Sequence, residues 1–99
     1  MAEVSTTALQ GVIRYLHGCG SQFVESVPVT ETFNGETIWE GVVQVFDLVN
    51  HPTAERAYAW SHVFEQSGNR RFVVVLHEEP VDSPQTAVRA AVAAEHQNR

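Results

Sequence analysis

Lysine is missing from this chain. All six basic residues are arginine, set against twelve carboxylates, and the formal charge is −6. A surface of that sign without a basic stripe repels a phosphate backbone, so nucleic acid is not an expected partner. Cysteine is nearly missing too: Cys19 stands alone, which excludes an intramolecular disulfide. Long apolar runs are also wanting. The longest, Phe72–Leu76 and Ala90–Ala94, fall far short of the roughly 20 residues a membrane-spanning helix needs, so no membrane partner is expected. Met1 to Thr7 has neither the positive start nor the apolar core of a secretory signal. A cytoplasmic location is the resulting expectation.

Signatures of chemistry are scarce. There is no glycine-rich phosphate loop, no GxSxG elbow and no HExxH. His17, His51, His62, His77 and His96 are scattered, with no pair at metal-ligand spacing on a helix. His62 and His77 fall on neighbouring strands, where a ladder could bring them together, but half-buried polar residues at a sheet margin are the expectation. His17-Gly18-Cys19-Gly20 suggests an activated thiol, but reactive thiolates favour helix N-termini and Cys19 falls just past a C-terminus. A structural role is expected for it. Glu78-Glu79 reads as a solvated loop and Arg70-Arg71 as a hairpin end. Neither a cofactor nor a catalytic residue is expected.

What is present is a globular composition, 43% hydrophobic with five phenylalanines and two tryptophans. Ninety-nine residues suit one core and hence a single domain over 1–99. Leu9, Val12, Ile13 and Leu16 recur at helical spacing and predict a helix from Thr6 to His17, ended by Gly18 and Gly20. Strands are predicted near Gln22–Phe33 and Thr37–Val49, joined at Asn34-Gly35, whose residues both tolerate positive φ. Pro28 puts the first of these at a sheet edge or gives it a bulge there. A third strand over Arg56–Glu65 and a turn at Ser67-Gly68-Asn69 lead to a fourth over Arg71–Glu78. Ser83 caps a last helix that opens with Pro84. The expected fold is α+β: a two-layer sandwich ordered α-β-β-β-β-α, with a four-stranded antiparallel meander sheet.

The element order is similar to that of the double-stranded-RNA-binding domain. That domain has one strand fewer, however, and Pro84, Gln85, Thr86 and Ala87 stand where a lysine cluster would open its last helix. The comparison is therefore set aside.

The strands carry the functional expectation. Ala57, Ala59, Ser61 and Val63 alternate with Tyr58, Trp60, His62 and Phe64. If both helices lie on the small-residue face, the rings are left facing water, and exposed apolar patches of that size mark binding sites; if the sheet coils strongly or the first helix crosses to the other face, nothing is left over. Arg56, Tyr58, Trp60, His62 and Phe64 are thus the candidate interface or ligand face. The leading expectation is a non-enzymatic interaction module that forms a homodimer through its sheet. The alternative is a small-molecule binder or enzyme using Arg56, Tyr58, Trp60 and His62. A meander also leaves Phe72–Leu76 on an edge, a second route to the same dimer.

Overall fold

A computed structural model describes residues 6–63 and 70–97. Its elements are α1 (Thr6–His17), β1 (Gly20–Phe33), β2 (Glu36–Val49), β3 (Arg56–Val63), β4 (Arg70–Leu76) and α2 (Pro84–Gln97). The four strands form one antiparallel sheet in the order β1-β2-β3-β4. The α+β order and the meander are those expected. Phe64 and the Ser67-Gly68-Asn69 turn lie outside the described residues.

Local chemistry sets the boundaries. Gly18 ends α1 at φ 68° while its N–H still donates to the Arg14 carbonyl at 2.8 Å, an αL cap. Asn34 (φ 53°) and Gly35 (φ 81°) close the β1–β2 hairpin with both turn residues left-handed. Ahead of α2, the Ser83 hydroxyl accepts the Thr86 N–H (3.2 Å) and the Thr86 hydroxyl accepts the Ser83 N–H (2.9 Å). This is a reciprocal cap with threonine in the usual glutamate place. β4 stops two residues early, because the Glu78 N–H turns back to the Leu76 carbonyl at 2.9 Å.

Packing corrects one expectation: the helices do not share a face. Leu9 and Ile13 of α1 pack with Cys19, Phe46, Ala59, Leu48 and Val74 on one side of the sheet. Ala87, Val88 and Ala91 of α2 pack with Val43, Val45, Tyr58, Trp60, Val73 and Val75 on the other. The reason is volume. A close-packed interior sets large side chains against small ones, so the leucine and isoleucine of α1 fill the space over Ala59. The alanines of α2, in turn, come down over the rings of β3. Matching an alanine-rich helix to an alanine-rich strand face pairs small with small and leaves voids.

The hairpin is longer than the sheet it belongs to. β1 and β2 pair along their whole length, but β2 meets β3 only over Gln44–Asp47. The rest is a two-stranded ribbon held from one side by α2. Glu31, only 8% exposed, receives the Gln85 amide and lies 3.3 Å from the Arg89 Nε. Trp39 closes the fork between ribbon and β3, its ring 5.6 Å from that of Trp60 and steeply inclined to it at 67°. Gly41 makes room for that indole: a Cβ there would stand 3.0 Å from its Cη2.

Candidate functional site

The expected ring face is occupied from within the chain. Tyr58 and Trp60 are 2% and 3% exposed, beneath α2. Arg56 reaches along the sheet to Asp47, with Nη2 to Oδ1 at 3.1 Å. His62 stands in β3 opposite Arg71, whereas His77 sits at the far end of β4, where its N–H meets the Arg56 carbonyl at 2.8 Å. The two histidines of these neighbouring strands are therefore separated along the ladder. Phe64 is outside the described residues. A ligand face built on Tyr58 and Trp60 would require α2 to leave.

One interaction binds the ring face to a surface cleft. The Tyr58 hydroxyl lies 2.6 Å from His77 Nδ1. Burial raises the tyrosine pKa above 10.0; nearby Arg56 opposes that rise and Asp82 adds to it. The phenol therefore stays protonated at neutral pH and shares a hydrogen bond with Nδ1, whose direction follows the imidazole tautomer. His77, Glu79, Pro80, Val81 and Asp82 line the open cleft here. That lining offers one imidazole and two carboxylates as its polar side chains. It is suited to receiving a cationic or hydrogen-bonding side chain. Sequence reasoning passed over it as a solvated loop; Asp82-Ser83-Pro84, which fixes a helix start immediately after Glu78-Glu79, was the available signal.

Other candidates are structural. Cys19 is buried against Leu9 and Phe46. His51 Nδ1 accepts the N–H groups of Thr53 (3.1 Å) and Ala54 (2.9 Å), holding the turn after β2, with the His17 ring 6.0 Å away. Among the described residues no three histidine, cysteine or acidic side chains converge on a possible metal position, and no helix is long and apolar enough to cross a membrane.

The two sheet edges differ sharply. β1 is blunted by a bulge between Phe23 and Glu25, by the Glu25 carboxylate and by Pro28, which has no N–H to offer. β4 has none of these over Phe72–Leu76. The His77 to Arg56 hydrogen bond sets the phase of its ladder: Arg71, Val73 and Val75 turn their backbone groups toward β3. The N–H and C=O of Phe72 and Val74 consequently point out along the free edge. Phe72 is itself 38% exposed, and α1 also leaves Val42 and Phe23 partly uncovered on the same face.

Comparison with models of protein families, with curated proteins and with solved structures finds no match to this chain.

Proposed function

We propose that this protein is a small non-enzymatic interaction module that assembles with a second copy of itself through its sheet, by pairing the edges of β4. The supporting observation is the contrast between the edges. One is guarded by bulge, carboxylate and proline, while the other offers outward backbone groups on a wholly apolar run. An unguarded edge of this kind is a template for another strand, and a two-fold axis makes the contact self-complementary. The rings of Tyr58 and Trp60 support such an interface from beneath without touching the partner.

Sedimentation velocity over a range of concentrations tests the reading. The wild type is expected to be a dimer. Phe72→Lys, a gatekeeping charge on a half-exposed edge position, should weaken it by about 30-fold or more and leave the far-ultraviolet spectrum unchanged. A wild type that stays monomeric at high concentration ends the proposal.

A further inference from the structure

One backbone hydrogen bond limits how two β4 edges can meet. Outward groups fall on Phe72, on Val74 and, next in that series, on Leu76. The Leu76 carbonyl is engaged, because it accepts the Glu78 N–H at 2.9 Å where the chain turns out of the strand. An antiparallel two-fold pairing matches even-numbered positions with even-numbered ones. With its axis at Val74, Phe72 of each copy would have to donate to that engaged carbonyl, in the middle of the ladder. With its axis at Phe72, the apolar runs slide apart until Phe72 alone overlaps its copy. An axis at Val73 matches Phe72 with Val74 of the other copy and calls on the N–H and C=O of those two residues at its centre. Leu76 then falls at the last step of the ladder, where the lost acceptor ends the pairing instead of interrupting it.

We propose that two copies pair β4 to β4 about an axis at Val73, and that α1 of each copy covers Phe72 of the other. The arrangement rests on the β4-edge dimer proposed above. Phe72 and Val74 stand opposite Ser61 and Ala59 of β3, and Ala59 packs with Leu9 and Ile13, so both side chains lie on the α1 side. Within one copy α1 covers Val74 but leaves Phe72 38% exposed. Because α1 runs into β1 through Gly18 and Cys19, its N-terminal end is the one over β4, directed at the free edge. A two-fold axis perpendicular to the sheet keeps α1 of both copies on the same side of one continuous sheet. Phe72 then stands directly beside Val74 of the second copy, their Cβ atoms about 5 Å apart. That valine is the β4 residue packed against the second copy's Leu9 and Ile13. The half-open phenylalanine is thus closed only in the dimer.

Disulfide trapping reads the axis. In a Cys19→Ala background, Val73→Cys puts two thiols on a non-hydrogen-bonded pair, whose Cα atoms stand about 4.5 Å apart and within the span of a disulfide. Val74→Cys leaves its two thiols offset along the strands, with Cα atoms about 8 Å apart. Under mild oxidation Val73→Cys should cross-link at least about tenfold faster than Val74→Cys. Phe72→Ala, which removes the covered ring without adding charge, should weaken the dimer by about tenfold. Cross-linking rates that are equal or reversed, or no trapped dimer from Val73→Cys, overturn the register. A Phe72→Ala dissociation constant equal to that of wild type overturns the cover by α1. In either event a dimer still split by Phe72→Lys leaves the edge reading standing. A monomeric wild type overturns both.

Discussion

Trp60→Ala separates a ring that supports its own fold from one that meets a partner. The indole is 3% exposed, sits among Val43, Tyr58 and Val88, and stands edge-on to Trp39 at 5.6 Å. Truncating a buried tryptophan to alanine costs about 3–5 kcal/mol. Loss of the Trp39 ring contact, itself about 0.5–1.5 kcal/mol, argues for the upper half of that range. Domains of this size hold about 5–15 kcal/mol in total. The variant should therefore be marginal, with its melting temperature lowered by at least about 12 °C. Urea denaturation followed by circular dichroism reads this directly, and the slope of the transition should match wild type. Trp60→Phe keeps most of the apolar volume and should lose far less. A Trp60→Ala protein with the wild-type midpoint but a broken dimer would refute the reasoning, because the ring would then serve a partner and not α2.

Gly41→Ala should cost about 1–3 kcal/mol, since the new methyl must push the Trp39 indole, 3.0 Å away, off Trp60. The same substitution made in a Trp39→Ala background should be nearly neutral in urea denaturation, and equal losses in both backgrounds would count against it. Tyr58 sets an alkaline limit. Its folded-state pKa is raised, mainly by burial, so the unfolded chain ionises first. The stability it contributes is complete below a pH of about 10 and is lost as pH rises toward the folded pKa. Comparing the pH dependence of stability in wild type and Tyr58→Phe isolates that slope, and identical alkaline profiles would contradict it.

Much of the fold was legible because it is written in local chemistry. The bounds of α1, the Asn34-Gly35 turn and the Ser83-Pro84 helix start each rest on residues within one turn of one another, and β4 falls on the edge where a meander puts it. Which helix covers which face was not legible. That choice depends on complementary volumes between Leu9 or Ile13 and Ala59, and between Val88 and Trp60, residues that a single strand's alternation does not connect. The tie from Glu31 to Gln85 and Arg89 bridges more than fifty positions and leaves no trace in local pattern. The cleft depends on a phenol from β3 meeting an imidazole beyond β4. Its acidic lining looks like ordinary loop solvation until the two strands are set in register.

The long β1–β2 ribbon also fixes an order of events during translation. Val27, Val29 and Trp39 are covered by Val88 and the alanines that follow it, so their shelter is encoded some forty to sixty positions downstream. At about 5–20 residues per second, the ribosome exposes a finished hairpin for several seconds before α2 emerges to cap it. During that interval the α2-facing side of an apolar ribbon carrying only acidic charges leaves the ribosome uncovered. Synonymous codons that slow decoding between Val49 and Pro84 would prolong this vulnerable window and lower soluble yield without altering a single amino acid.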